Sequence, residues 1–508
     1  MDKEVYAVLA DARGIQSYVF STNKMKLALG ASQIVKSIYE SRIKDVVQEM
    51  RVKAANFNDW KISPGKIAIL QDDVEFEVGY IGGGNALLLF AKEGYAKEFI
   101  KRWTSDLLIY APGLNISVVY SKLKISNGGE FDLKEIHNIL SKEKNEFIPN
   151  TYLPKYGITA DCNYTGLSAE TVRINEDGEI EFVSSVAATK LVNSKLMEKQ
   201  RFKEYGFPVE FDKLGQREGN SHIAVVHIDG NSIGKLFEEQ RNISAFRKFS
   251  NRISEATEKS MEKVFVFLSN ILEEIKQSGE FEIEDKILPI RVIIQGGDDI
   301  TFVTDGRLGL VLAEEFIKEF SKYSVEVEGR KIPLSASAGV AIANSKYPFY
   351  RLYKLAEELC SNAKVEAHKN IGKSYIDFFV SYGGFFGELS SMREKYLTHG
   401  KDYKLYFGPY SINEPENVRC LCYLKEGIKC LRKWPRSKVK ELRDAIASDR
   451  FKIFREECNA RELKLPDVKV NDKGFVERDG KFYSPYFDMV EMFDLFFQPK
   501  EEDNGRNN

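Results

Sequence analysis

Cysteine is scarce, with 6 residues in a chain of 508. That is too few for a disulfide scaffold and points to a reducing cytoplasm. Long apolar runs are missing too. The longest, such as 86–91, fall far short of the roughly 18 residues a membrane helix needs, so no membrane contact is expected. The N-terminus Met1-Asp2-Lys3-Glu4 carries charge where a secretory signal needs an apolar stretch. No collagen, coiled-coil or low-complexity bias is visible. Nor is there an excess of one charge: 74 Lys+Arg face 76 Asp+Glu, for a formal net charge of -2. This excludes a wholesale nucleic-acid coat but leaves room for a local basic surface. What is present is ordinary soluble chemistry, 43% hydrophobic and 30% charged. The length suggests about three domains, and such a chain can bury a sizeable core.

An internal duplication organises the rest. Residues 4–11 read as a buried strand ending in Asp11, followed by a helical stretch over about 25–50. The cluster Gly82-Gly83-Gly84-Asn85 leads into a strand at 86–90, then a helix near 95–108 and a strand at 114–120. The same order returns at 221–229, a strand ending in Asp229. A helix over about 244–277 and a strand at 289–295 follow it. Next come the turn Gly296-Gly297-Asp298-Asp299, a strand at 300–303, a helix at 310–323 and a strand at 333–343 containing Gly339. A further helix, about 349–367, precedes a strand at 375–380. The expected fold is therefore α+β, with two ferredoxin-like βαββαβ units of the palm type. The first, degenerate, spans 1–121 and the second 221–381. An insert fills 122–220, a mainly helical domain 382–500 (helices near 438–447 and 486–497), and a disordered tail 501–508.

The second unit concentrates acid. Its Gly-Gly-Asp-Asp turn exposes Asp298 and Asp299 with little side-chain cover, and glycine lets a phosphate approach the backbone. Asp229 ends the neighbouring strand, so three carboxylates converge at one sheet edge. Uncompensated, that cluster is repulsive. Hard divalent cations relieve it, and two of them suit attack by a 3′-hydroxyl with release of pyrophosphate. The expected cofactor is two Mg²⁺ or Mn²⁺ ions on Asp229, Asp298, Asp299 and Ile228. Gly230, Asn231, Ser232 and Gly234, in a turn before Lys235, and Gly296 and Gly297 are candidate nucleotide contacts. Lys364 is the candidate to balance phosphate charge, with Lys369 nearby. A Gly-Gly-Asp-Asp turn alone is a common surface hairpin; the strand-terminal Asp and downstream Lys in order are what make it a site. His227, two residues before Asp229, lies on the same sheet face and reads as a packed, hydrogen-bonded histidine.

Val226-His227-Ile228-Asp229-Gly230-Asn231, then Gly296-Gly297-Asp298-Asp299, Ser335–Ala341 and Ala363-Lys364, resemble the palm of GGDEF-type nucleotide cyclases. With a preceding second palm, the chain resembles the large subunit of type III CRISPR effector complexes, the cyclic oligoadenylate synthase. Gly14-Ile15-Gln16-Ser17-Tyr18-Val19-Phe20 and Leu29-Gly30-Ala31-Ser32 resemble that family's first palm. The resemblance covers about residues 4–380. It implies synthesis of linked, then cyclised, oligoadenylates from ATP as second messengers in antiviral defence. It implies catalytic roles for Asp229, Asp298, Asp299 and Lys364. It also places Asp11, Gly82, Gly83 and Gly84 beside an acceptor nucleotide.

Departures qualify this. The chain opens on the first palm and holds no His-Asp pair, so the nuclease domain common in the family, and its activity, are not expected. Cys162-Asn163-Tyr164-Thr165-Gly166-Leu167 resembles the family's zinc element but keeps one cysteine of the four ligands required, so no zinc is expected. Cys420, Cys422, Cys430 and Cys458 have poor zinc spacing and read as buried cysteines. Residues 419–455 hold twelve Lys/Arg and four Asp/Glu, suiting either guide or target RNA and small partner subunits or a solvated helical face. The aromatic cluster from Tyr483 to Phe497 reads as packing of a terminal helix. A cyclase using GTP, and an RNA-binding scaffold subunit, stay open as alternatives. Base preference, ring size and any need for target RNA are not readable from spacing.

Overall fold

The computed structural model describes residues 2–146, 155, 157–175, 177–217, 221–383 and 387–500. In the first unit, strands Lys3–Arg13, Phe76–Gly82, Asn85–Phe90 and Asn115–Ile125 form an antiparallel sheet. The strand Lys3–Arg13 sits centrally, between Asn85–Phe90 and Asn115–Ile125, and Phe76–Gly82 lies at the edge. Small and branched residues, Val5, Ala7, Val8, Leu9 and Ala10, let that strand be buried on both faces. Helices Met25–Ser37 and Glu93–Tyr110 pack on it through residues such as Ala28, Ile34, Phe99 and Trp103.

The second unit repeats this pattern with His222–Gly230, Ile290–Gly296, Asp299–Asp305 and Ala336–Asn344. Even an irregularity is shared: the edge strand is bulged between Val78 and Tyr80 in one unit and between Val292 and Ile294 in the other. The second sheet grows to six strands. Helix Phe349–Lys369 crosses over to a parallel strand, Tyr375–Ser381, and Tyr410–Ser411 caps the edge.

Side-chain alternation assigns the two faces of this sheet to different neighbours. Ile223, Val225, Val303, Ala341 and Phe379 join a core shared with the first unit and with helix Phe349–Lys369. Ala224, Val226, Phe302, Val340 and Phe378 join a second core with helices Ile243–Gln277 and Gly309–Phe320 and the C-terminal region. Asp229 and Asp299 have the parity of the first set, so they face the other unit.

The units are fastened by buried polar contacts. Arg247, 0% exposed, donates to Gly79 O, Val78 O, Lys66 O and Glu77 Oε1 across the seam, at 2.6–2.8 Å. Asn23 Oδ1 accepts from Phe349 N at 2.9 Å, capping the second unit's helix from the first. Phe20 stacks on Tyr353 at 3.9 Å between ring centroids.

Outside the two units the structure corrects the sequence reading. The first sheet's last strand runs on to Ile125, and helix Lys134–Lys144 packs against it, so this part of the 122–220 insert is continuous with the first unit. The insert also carries helix Ser185–Glu198. Its backbone sits where a Cβ on Gly30 would meet Lys190 O at 1.8 Å. Residues 382–500 are not only helical. Thr398–His399, Tyr403–Lys404, Lys481–Tyr483 and Val476–Arg478 form a four-stranded sheet beside helices Leu421–Leu431, Arg436–Ala447 and Phe451–Ala460. The terminal helix is short, Pro485–Glu491, although Tyr486, Phe487, Met489, Phe496 and Phe497 are buried as expected. Cys420 and Cys422 read as buried cysteines; Cys420 is buried, but Cys422 is only half-buried, and the two are joined in a disulfide, their Cα atoms 5.1 Å apart at the turn that opens helix Leu421–Leu431. Cys430 is only half-buried. The tail 501–508 lies outside the described residues. Among the described residues no helix is long and apolar enough to cross a membrane.

Candidate functional site

Asp229 stands one residue from the end of its strand, opposite Ser337. The ladder that pairs Ile228 with Ile300 puts Asp299 next in register on its other side. Helix Phe349–Lys369 lies over this face. Gly339 permits it: a Cβ there would sit 2.0 Å from Ala356 O and 2.4 Å from Cys360 N. Tyr353, Glu357, Cys360 and Lys364 follow helical spacing along the helix. Lys364 Nζ reaches Asp229 Oδ2 at 2.5 Å. Behind the acids, His227 Nδ1 is 3.0 Å from Thr301 Oγ1 and 3.4 Å from Asp299 Oδ1. Burial lowers the pKa of its ring, which favours the neutral form, as a packed histidine requires.

The turn geometry explains why the two units differ in sequence. Gly83 and Gly84 both have positive φ, +59° and +79°, the pattern of a type I′ hairpin turn. In the second unit only Gly297 does, at +62°, which matches a type II′ turn. Position 298 can therefore carry a side chain without strain, whereas position 84 needs glycine. The turns meet: a Cβ on Gly297 would lie 3.7 Å from Gly83 N, and one on Gly296 4.0 Å from Gly83 Cα.

Burial, then the charge of Asp229, pushes Asp298 up to about 7 and Asp299 up to about 8. The Asp299 side chain is 31% exposed, but its Oδ1 is buried without a hydrogen-bond partner. The expected convergence on one point is not complete. Among the described residues, no three His, Cys, Asp or Glu side chains stand in a metal-holding arrangement. Asp229 has turned onto Lys364, the nearest cation, which relieves the repulsion among like charges. The donor set still fits a divalent cation: hard carboxylate oxygens, one of them orphaned, raised by burial and by the neighbouring Asp229 charge, both of which a bound cation would offset.

The other expected contacts divide. Gly230 belongs to the site, since a Cβ there would meet Asp298 Cβ at 3.0 Å. Gly234 faces open space, and Ser232 is held at φ +60° before the short helix Ile233–Glu238. Asn231 is spent within the protein. Its amide donates to Ser335 Oγ and Lys373 O and its Oδ1 accepts from Ser337 Oγ, pinning the strand end. Lys369 is paired with Glu366 at 3.0 Å rather than with the acids. Ile228 is fully buried between Ile300 and Ala338.

The first unit contains a near copy of the pair. Asp11 lies between Asn85 and Ser117, the register Asp229 has with Asp299 and Ser337. Lys144 Nζ holds Asp11 Oδ2 at 2.6 Å, as Lys364 holds Asp229. Lys144 was missed from sequence because the first unit was ended at 121; one more element of the duplication, a helix after the fourth strand, contains it. Gly82, Gly83 and Gly84 form the facing turn. With Gly84 and Asn85 in place of Asp298 and Asp299, this copy has a single carboxylate.

The basic stretch 419–455 is partly neutralised from outside, at least five of its twelve cations being paired there. Arg419, Lys425, Arg436, Arg443 and Arg455 pair with Glu366, Glu314, Asp494, Glu491 and Asp472. Phe451 is fully buried and Trp434 nearly so, which favours the solvated, partly packed face over an RNA surface. Cys162, the remnant of the zinc element, is buried beside Ser184 Oγ at 3.6 Å.

Fold and site together define a protein of two units with the same strand order, set turn to turn, with acid concentrated in the second. Residues 222–372 match the family model described as Cas10/Cmr2, second palm domain. The match assigns that segment, under a third of the chain, to the Cas10/Cmr2 second-palm family. No curated protein matches it in sequence. Solved structures share the fold. One is a Csm1-Csm4 cassette in complex with cA4, at TM-score 0.53 and 13% identity, covering 97% of this chain and 70% of that one. The cassette with pppApApA gives 0.51 and 14% identity, covering 97% and 69%. The cassette with cA3 gives 0.50 and 15% identity, covering 98% and 70%.

Proposed function

We propose that this protein is a nucleotidyltransferase that joins ATP into oligoadenylates and cyclises them, acting within a type III effector assembly. The observation that carries the reading is the meeting of the Gly-Gly-Asp-Asp turn with the first palm's glycine turn, beside the Asp229–Lys364 pair. Solved structures of the same fold are Csm1-Csm4 cassettes in complex with cA4, cA3 and pppApApA, which supports adenylate chemistry.

In each step a 3′-oxygen of the acceptor bonds to the donor's α-phosphorus, and the α–β phosphoanhydride breaks. Pyrophosphate leaves with the electron pair, and the hydroxyl proton passes to solvent. Asp229, Asp298 and Asp299, with the main chain of Ile228, would hold two Mg²⁺ or Mn²⁺ ions. Such ions lower the charge on phosphate and the pKa of the attacking hydroxyl. The chain's residues do the rest. Gly296, Gly297 and Gly230 leave backbone uncovered, so phosphate can approach. Lys364 exchanges Asp229 for the triphosphate and offsets the charge of the leaving pyrophosphate. Asp11 and the turn Gly82–Gly84 hold the acceptor, with Lys144 as a second cation. A single carboxylate suits binding there rather than two-ion chemistry.

The test is to incubate the purified protein with each ribonucleoside triphosphate, alone and mixed, with Mg²⁺ or Mn²⁺, and identify products by mass spectrometry. Linked or cyclic oligoadenylates, absent with Asp298→Ala/Asp299→Ala, are expected. Guanylate products would move the protein to GTP chemistry. No product with or without target RNA and partner subunits would reject the enzyme reading in favour of a scaffold.

A further inference from the structure

The helical stretch after the first strand is not regular. It is α-helical over Met25–Ser37, π-helical over Ile38–Arg42 and α-helical again over Ile43–Glu49. A π turn inside a helix is rare and marks places where a side chain is re-aimed. Here it has two effects. Ile38 O accepts from Trp103 Nε1 at 3.1 Å. Tyr39, 3% exposed, is directed so that its hydroxyl donates to Gly84 O at 2.5 Å.

Gly84 O already accepts from Ala12 N at 2.9 Å, so it has no need of a second donor. Packing against Trp103, at 6.0 Å between ring centroids, would be served as well by phenylalanine. A buried hydroxyl is costly unless bonded, yet this one is kept, and its partner is the peptide that closes the first palm's turn. Two donors on one carbonyl fix the plane of that peptide. Gly84 cannot be stiffened by a side chain, because a Cβ would meet Ile15 Cδ1 at 2.3 Å at a φ of +79°. The hydroxyl adds to the Ala12 bond in holding the turn, whose neighbour Gly83 abuts Gly297 of the Gly-Gly-Asp-Asp turn.

We infer that Tyr39 is a positioning residue for the seam between the palms: through Gly84 it holds the first palm's turn against the acidic turn of the second. Its catalytic consequence rests on the function proposed above; its structural content does not. The variant is Tyr39→Phe, which keeps the ring and removes the bond. Hydrogen exchange of the nucleotide-free protein should quicken at 82–85 and also at 296–299, by about two- to tenfold, the range of one buried hydrogen bond. With ATP, KM should rise by about two- to tenfold while kcat stays within about twofold, a split that general loosening of the fold would not give. Unchanged exchange at 296–299, or an unchanged KM, overturns the inference. If the wild-type protein makes no nucleotide product, the proposed function fails, and the exchange measurement alone decides the role of Tyr39.

Discussion

Replacing Asp299 by asparagine should stabilise the metal-free protein at alkaline pH while removing its chemistry. Burial and the Asp229 charge push Asp299 from 3.8 to about 8. A carboxyl raised in the folded state contributes most at low pH, and that contribution is lost as pH rises towards the folded value. Between an unfolded value of 3.8 and a folded value of about 8, about 1.36 kcal/mol per pH unit sets a ceiling of about 6 kcal/mol. The side chain is 31% exposed, and solvent screening reduces the figure to about 1–2 kcal/mol. Asparagine keeps the volume and drops the charge. Thermal melts in a chelator should show Asp299→Asn exceeding wild type by about 1–2 °C at pH 8.5 and by less at pH 5.5. Adding Mn²⁺ should raise the wild-type melting temperature more at pH 8.5 than at pH 6, and raise the variant's less. A variant below wild type at pH 8.5, or a gap that does not change with pH, would refute the reasoning.

Other substitutions probe the supports of the site. Arg247→Ala removes a fully buried guanidinium that holds Glu77 and three carbonyls, and should cost about 3–5 kcal/mol in chemical denaturation; a cost below about 1 kcal/mol would show that the palms are fastened elsewhere. Gly339→Ala places a methyl 2.0 Å from Ala356 O and should displace the helix carrying Lys364, lowering stability by about 2 kcal/mol or more together with product formation. Lys364→Met should leave the melting temperature within a few degrees and lower kcat by about 10²–10³-fold; an unchanged kcat would reduce Lys364 to a counter-ion for Asp229.

The duplication was legible because its signals are local. Strands ending in Asp11 and Asp229 and glycine turns at 82–84 and 296–297 need no long-range information to be seen. The acids of the second palm followed from residue type and order. What escaped depends on distance in space. Lys144 lies beyond the point where the first unit was ended, and only the pairing of Asp11 with Ser117 and Asn85 shows that it mirrors Lys364. Asn231 looked like a phosphate contact because it follows Asp229, yet its amide is consumed by Ser335, Ser337 and Lys373. The charge of 419–455 was counted correctly, but Glu366, Glu314 and Asp494, remote in sequence, neutralise part of it. The C-terminal sheet was invisible because its strands have two or three residues each, too short for a period to emerge. Tyr39 gave no sequence signal, since a π turn has none.

The division of labour between the palms is the central claim, and pyrophosphate release from ATP tests it most directly. Rates should be measured across ATP concentrations for wild type, Asp298→Ala/Asp299→Ala and Asp11→Asn, with Mn²⁺ and any required partner subunits and RNA. The account predicts loss of release in the double variant at every concentration, and a raised KM with near-normal kcat for Asp11→Asn. Release that persists in the double variant, or a kcat abolished by Asp11→Asn alone, would contradict it.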